Sequence, residues 1–119
     1  MLKKLNRIRT RYEFWKVRKD GVHISARHFH LYYLQRRDFL EETKVGIIVS
    51  NKFSKSAVKR NRTKRVFREI VRTNFDKMKP GYWITIHPRF HVGQVTYEEI
   101  NTDFIKILQK VPFSKEFRS

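Results

Sequence analysis

The sequence contains no cysteine, and this absence removes several kinds of chemistry at once. Without thiols the chain cannot form disulfides, use a thiolate nucleophile or bind zinc through cysteine, and nothing in it suggests an oxidising compartment. No apolar run approaches the roughly 18 residues of a membrane span. We therefore expect a cytoplasmic protein with no membrane partner.

Acidic residues are also scarce, with 11 Asp and Glu in 119 residues. Hydrolysis of a phosphodiester by protein-bound Mg²⁺ usually requires two or more converging carboxylates. The adjacent pairs do not suggest such a site: Glu41 and Glu42 fall in a predicted loop, and the pair at residues 98–99 falls in the first turn of a predicted helix, where the helix dipole accounts for it. His28 and His30 share a predicted strand face but have no third ligand. The sequence thus predicts no catalytic residue and no metal ligand in the polypeptide.

Positive charge is abundant and clustered. The chain has 28 Lys and Arg, so its net charge is 28 − 11 = +17. Residues 1–20 carry 8 basic and 2 acidic side chains (+6) and residues 52–79 carry 11 and 2 (+9), so these 48 residues hold +15 of the total. Two such segments repel each other unless a polyanion lies between them, and nucleic acid releases counterions for each phosphate that is neutralised. The clustering favours a nucleic-acid partner over a charged, solvated face.

The first third of the chain predicts a helix followed by two strands. Thr10 and Glu13 have the spacing of a capping box, which opens a short helix that Gly21 ends. Strands are expected near residues 22–25 and over the aromatic-rich residues 28–34.

The rest of the chain predicts a strand, a long helix, a strand and a last helix. Residues 45–49 form a continuous apolar run, which we interpret as a central strand covered on both sides. Residues 56–75 have helical periodicity, residues 82–86 form another strand, and a second capping-box spacing opens a helix that Pro112 stops. We predict one α+β domain over residues 1–119, with a basic N-terminal arm at about 1–9 and a C-terminal tail at about 112–119.

The long helix changes character along its length. Its second half is amphipathic, whereas residues 58–65 are polar almost all round. At 100° per residue Arg60 falls close to the apolar stripe of Phe67 and Ile70, and a cation there indicates that the core has ended. Mutual repulsion of these charges favours binding of a phosphate backbone, which arginine can hold bidentately.

Aromatic side chains supply a second sign of nucleic-acid binding, because single-stranded bases stack on them with little regard for sequence. The candidates are Phe14, Trp15, Tyr32 and Tyr33. A core role is the better interpretation for each alone, except that strand parity puts Tyr32 on the opposite face from the apolar Phe29, where its hydroxyl tolerates water. A structural ribosomal protein, or another RNA-binding protein with no role in cleavage, would share these features. A sequence-specific DNA regulator fits less well, because its recognition helix would carry more varied base-reading side chains, and no DNA partner is expected.

Several of these segments together resemble the bacterial ribonuclease P protein component. The hallmark is the helix with Arg60-Asn61-Arg62 followed by Lys64-Arg65. The accompanying landmarks, in chain order, are Arg7 and Phe14 before Gly21, the pattern Arg27-x-Phe29-x-Leu31-Tyr32, residues 45–50 before the basic helix, and residues 96–99 opening the last helix. The similarity covers about residues 3–110.

The resemblance implies an αβββαβα fold with a small mixed sheet and a left-handed βαβ crossover, similar to a domain of ribosomal protein S5. It implies the protein subunit of ribonuclease P, which with a catalytic RNA removes the 5′ leader from precursor tRNA. Mg²⁺ would be held mainly by the RNA subunit and the substrate, and the protein would raise substrate affinity and aid magnesium placement.

The same resemblance assigns residues to two RNA surfaces. Those expected to bind the RNA subunit are Lys52, Lys59, Arg60, Asn61, Arg62, Lys64, Arg65 and Arg68. Those expected to bind the leader are Arg7, Phe14, Arg18 and Tyr32. Arg18 stands where some members have a second cleft aromatic, so we expect a phosphate contact to replace part of the stacking there.

Overall fold

The structure is a computed structural model that describes residue 3 and residues 6–36, 42–50 and 52–115. The elements are α1 (Arg11–Asp20), β1 (Val22–Ser25), β2 (Phe29–Gln35), β3 (Lys44–Ile47), α2 (Ala57–Asn74), β4 (Tyr82–Pro88) and α3 (Tyr97–Leu108). Short 3₁₀ turns follow α2 at Phe75–Lys77 and β4 at Phe90–Gln94. The αβββαβα order is thereby confirmed. Glu41 lies outside the described residues, among which no helix is both long and apolar enough to cross a bilayer.

The four strands form one mixed sheet in the order β1-β2-β4-β3. β2 is antiparallel to both β1 and β4, whereas β3 runs parallel to β4, and α2 makes the crossover between these two parallel strands. The left-handed sense of this crossover stays a prediction from the resemblance.

The interpretation of residues 45–49 as a central strand is wrong, because β3 lies at an edge of the sheet and β4 occupies the interior. Its apolar run reflects cover on both faces and not a central position. Val45 packs in the main core, and Ile8 and Phe14 lie over the opposite face at Gly46. Arg7 forms a parallel bridge with Val45, and the Ile8 amide donates to the Val45 carbonyl at 3.1 Å, which closes part of the free edge.

The two faces of the sheet are covered unequally. On one face Phe29 and Leu31 of β2 are fully buried under α2 and α3, with Phe67 and Phe104 among their core neighbours. On the other face Tyr32, Leu34 and Trp83 pack against a smaller cluster beneath α1. The predicted alternation of faces along β2 is confirmed. On this side of the sheet His30, Tyr32 and Leu34 of β2 stay partly exposed beyond the cover of α1.

The described parts of both terminal segments pack against the domain. Asn6 and Ile8 are buried beside β3, with the Asn6 amide donating to the Thr43 carbonyl at 3.1 Å. Phe113 has no exposed surface and contacts the rings of Tyr33 and Tyr82. Residues 6–9 and 112–115 are therefore attached to the folded core.

The start of α1 is fixed to β3 through a buried carboxylate. The predicted capping box is present: Thr10 accepts from the Glu13 amide, and Glu13 accepts from the amides of Arg9 and Thr10 at 3.0 Å. The other Glu13 oxygen accepts from Lys44 Nζ at 2.8 Å. Burial alone would raise the pKa of Glu13, but the hydrogen bonds from Lys44 and the two amides outweigh it and lower the pKa to about 2.

Gly46 lets α1 approach the sheet at van der Waals distance. A Cβ atom added to Gly46 would lie 2.6 Å from Cε1 of Phe14 and 3.0 Å from Cβ of Ile8. No side chain fits there without displacing the Phe14 ring, so a glycine in β3 is a condition for the position of that ring.

We expect Gly46→Ala to lower the free energy of unfolding by about 1–3 kcal/mol, because the added methyl overpacks the contact with Phe14. Urea denaturation measures the change. Gly93→Ala is the matched control, since nothing lies within 4 Å of the added Cβ and its φ is not positive, and it should leave stability unchanged or slightly higher. Equal stability of the two variants would contradict the close packing of Phe14.

The Glu13 carboxylate should contribute to stability only above acid pH. Its pKa is about 2 in the folded chain against 4.5 as the reference for the unfolded chain, so its contribution is complete above pH 4.5 and is lost as the pH falls toward 2. Between pH 5 and pH 2 the wild-type free energy of unfolding should fall by about 2–3 kcal/mol more than that of Glu13→Gln. Urea titrations at several pH values test this, and parallel pH profiles for the two proteins would refute it.

Candidate nucleic-acid interface

The N-terminal half of α2 presents a basic surface to solvent. Ser56 caps the helix by accepting from the Lys59 amide at 3.3 Å. The side chains predicted to bind the RNA subunit that are exposed here are Lys52, Lys59, Asn61, Arg62, Arg65 and Arg68, while Arg60 and Lys64 are half-buried. The first acidic residue of the helix is Glu69, which is paired with Arg72. This basic surface, defined as residues 52 and 59–68, therefore carries no carboxylate.

Arg60 has a structural partner within this surface. Its Nη1 donates to the Ser54 carbonyl at 2.7 Å, which fastens the turn before α2 to the helix. Thr63 is buried one helical turn further on, and its hydroxyl donates to the Lys59 carbonyl at 3.0 Å. Toward the N-terminus of α2, the core residue Phe67 is therefore followed on the same face by the hydrogen-bonded Thr63 and then by the cation Arg60, as the helical spacing predicts.

A cavity of about 220 Å³ lies between residues 7–8, α1, β3 and α2. It brings Arg7 and Phe14, both predicted leader contacts, together with Arg68, which is predicted to contact the RNA subunit. The Nε atom of Arg7 is buried and has no hydrogen-bond partner within the described part of the chain. The cavity therefore brings the ring of Phe14 together with two arginine side chains that can donate hydrogen bonds to an anion.

Tyr32 lies outside this cavity but on the same face of the sheet. It pairs across the sheet with Thr85, which pairs in turn with Gly46 below Phe14. Two strand spacings, about 10 Å, thus separate the backbone of Tyr32 from that of Gly46. The α1 side of the sheet from Tyr32 to the cavity beside Phe14 is called the sheet groove below.

Histidine rings from the neighbouring strands pack against the ring of Tyr32. The sequence alone did not predict these contacts. His23 stacks on the Tyr32 ring with ring centroids 4.7 Å apart and planes 20° apart, and His87 meets it edge-on at 5.2 Å. His30 bonds to His23 through ring nitrogens 2.9 Å apart. The alternation along β2 places His30 and Tyr32 on the same face, so His30 could have been found from the sequence. The contacts of His23 and His87 with Tyr32 could not, because they depend on the register of β1 and β4 against β2.

Burial and nearby cations lower the pKa of two of these histidines, His87 and His30. Burial, followed by the nearby charge of Arg18 and then by His30 and His23, lowers the pKa of His87 to about 4. Burial, Arg89 and His23 lower the pKa of His30. Arg18, a predicted leader contact, is exposed, and its charge contributes to the lowered pKa of His87.

The other candidate aromatic and histidine residues separate from this group. Tyr33 faces the core, whereas Trp15 is 53% exposed beside Tyr12 on α1. His28 does not pair with His30 as its strand position suggested, because it precedes β2 and bonds to His91 at 3.0 Å. In residues 6–36, 42–50 and 52–115 no three His, Asp or Glu side chains converge in a geometry for metal binding.

The chain is similar to known proteins over most of its length. A family model described as Ribonuclease P matches residues 2–112. The ribonuclease P protein component of Bacillus velezensis is 35% identical over 118 residues, covering 99% of each chain, and that of a Pseudanabaena strain is 36% identical, covering 92% of this chain and 94% of the relative. An RNase P protein from Thermotoga maritima, solved in complex with 1-(4-fluorophenyl)-2-thiourea, matches with a TM-score of 0.76 at 27% identity, covering 88% of this chain and 99% of that one. The chain therefore belongs to the family of bacterial ribonuclease P protein components, the protein subunit of an endonuclease that processes tRNA.

Proposed function

We propose that this chain holds two RNA segments at once, with its basic surface on the catalytic RNA subunit and its sheet groove on the single-stranded 5′ leader of precursor tRNA. The observation that carries the proposal is the cavity shared by Arg68 of the basic surface with Arg7 and Phe14. Because the two surfaces adjoin at that cavity, an RNA subunit docked on α2 lies next to a leader in the groove.

The basic surface has the chemistry of a phosphate-binding face. Its exposed arginines have no carboxylate among them, so repulsion between them is relieved when phosphates approach. Each guanidinium offers a planar pair of donors to phosphate oxygens. Counterion release then makes the affinity depend steeply on salt concentration.

The sheet groove has the chemistry of a single-strand site. Tyr32 and its histidine neighbours offer flat rings to unpaired bases, and Phe14 offers another ring over Gly46, whose backbone lies two strand spacings from that of Tyr32. Arg7 and Arg18 supply cations for the backbone at the two ends. A groove of rings with cations beside it accepts many leader sequences, because stacking requires no particular base.

Within residues 6–36, 42–50 and 52–115, neither surface presents the carboxylates that Mg²⁺ prefers. Carboxylate oxygens are its usual protein ligands, but Glu13 is bound to Lys44, Glu69 to Arg72 and Asp20 to Lys16. Arginines, lysines and aromatic rings dominate the two surfaces, and they offer the ion no carboxylate. We therefore assign magnesium binding mainly to the RNA subunit and the substrate.

The basic surface predicts a specific salt dependence. The double variant Arg62→Ala/Arg65→Ala should bind a bacterial ribonuclease P RNA more weakly and lower the slope of log affinity against log salt by roughly one unit per lost phosphate contact. Filter binding at several salt concentrations gives the slope. Arg72→Ala is the matched control, because this exposed arginine of the same helix is already paired with Glu69 and should leave the slope unchanged. A slope unaltered in the double variant would exclude phosphate contacts by these two residues.

Removal of a leader from precursor tRNA tests the proposal as a whole. At low Mg²⁺ the chain should stimulate cleavage by the Bacillus velezensis ribonuclease P RNA. Tyr32→Ala should weaken binding of leader-bearing tRNA to the complex by about 1–3 kcal/mol and leave binding of mature tRNA unchanged, since stacking on this ring involves the leader alone.

The matched control for that assay is Trp15→Ala, which removes an exposed ring on α1 outside the groove and should have no effect on either tRNA. Equal losses for mature and precursor tRNA would contradict a leader groove. Tight RNA binding without any stimulation of cleavage would instead favour an RNA-binding protein with no role in cleavage.

A further inference from the structure

A second pocket lies at the start of the basic surface, on the opposite side of α2 from the cavity beside Phe14. Its volume is about 250 Å³, and it is enclosed by the turn before α2, the first turns of that helix and the 3₁₀ turn Phe90–Gln94. The side chains and backbone that line it belong to Phe53, Ser54, Lys59, Arg62, Thr63, Phe90, Gly93 and Gln94. It shares no residue with the cavity beside Phe14.

Phe90 is the most unusual feature of this pocket. Its side chain is 80% exposed, more than any other large apolar side chain in the described part of the chain. Its recorded ring contact is with the adjacent His91, edge-on at 6.2 Å. A phenylalanine held in water on the wall of a pocket loses the benefit of burial unless a partner covers it.

The other residues that line the pocket indicate the chemistry of its partner. Lys59 and Arg62 line the pocket, no acidic residue does, and Phe53 supplies an inner apolar wall that packs against the core. The pocket is open at Gly93, where no atom lies within 4 Å of an added Cβ. A partner must therefore carry negative charge beside a flat apolar group, and a nucleotide has both.

We propose that this pocket binds one unpaired base of the catalytic RNA subunit, stacked on Phe90, with the adjoining phosphate on Lys59 and Arg62. The volume is below the roughly 300–1,000 Å³ of pockets for larger ligands, which suits one base better than a base pair. This inference rests on the proposed function, because it extends the RNA-subunit contact of α2 onto the turn after β4. A second copy of this chain is a poor occupant, since each copy carries +17.

Stacking and phosphate contacts differ in their response to salt, and this difference provides the test. Phe90→Ala should raise the Kd for the Bacillus velezensis ribonuclease P RNA by about 5- to 100-fold while leaving the salt slope unchanged. Phe90→Trp should retain wild-type affinity, and fluorescence of the new indole should be quenched on RNA binding beyond the change seen for wild type. Val58→Ala is the matched control, because it truncates a 69% exposed apolar side chain of α2 that does not line the pocket.

Each outcome separates this inference from the proposed function. If wild type binds the RNA with a steep salt slope and Phe90→Ala binds equally well, base stacking at this pocket is wrong and the proposed function stands. If wild type itself shows no salt-dependent binding, the proposed function fails. Self-association of wild type in sedimentation that disappears in Phe90→Ala would assign the pocket to a second copy of the chain and overturn the inference.

Discussion

The ion pair between the buried Glu13 carboxylate and the partly exposed Lys44 is the interaction on which the geometry of the sheet groove depends. It joins the first turn of α1 to the first residue of β3, and the same carboxylate closes the capping box that starts α1. One group therefore fixes both where the helix begins and where it sits on the sheet. Phe14 follows Glu13 directly, and Gly46 lies two residues after Lys44, so the close contact of ring and glycine is a consequence of that attachment. A loose ion pair would leave the ring without a defined height above the sheet.

Chain topology explains why the basic surface and the sheet groove meet. β3 and β4 are parallel neighbours, and a parallel pair requires a crossover, which here is α2. The helix must therefore leave from the edge of the sheet that α1 also covers. Its basic half extends beyond the core, its apolar half packs under the sheet, and Arg68 at the junction lines the cavity that contains Phe14. The charge segments at residues 1–20 and 52–79 are separated in sequence but adjoin in space, and their repulsion is balanced by the burial that holds α1 and α2 on the same strand.

Local signals in the sequence were sufficient to predict the helices and the alternation along β2. They were not sufficient to predict contacts between strands that are distant in sequence. Thr10 and Glu13 predict the start of α1 because a capping box is complete within four residues. The edge position of β3 could not be predicted, since an apolar run reports burial of faces and says nothing about which edge is paired. The same limit applies to the site: Tyr32 was identified by parity, but its stacking with His23 and His87 requires the register of β1, β2 and β4. The cavity shared by the two surfaces likewise depends on the crossover.

The histidines around Tyr32 show how a chain of such high charge keeps a surface suited to bases. Had His30 and His87 been protonated, the sheet groove would hold cations throughout and would bind phosphates in preference to rings. Burial, together with the neighbouring Arg18 for His87 and Arg89 for His30, lowers the pKa values of both rings and favours their uncharged forms beside Tyr32. Separation of rings from cations lets one strand place its bases inward and its backbone outward. The basic surface of α2 lacks this separation along most of its length and has it only where Phe90 lines a pocket with Lys59 and Arg62, so the two proposed RNA surfaces combine rings and cations in different proportions.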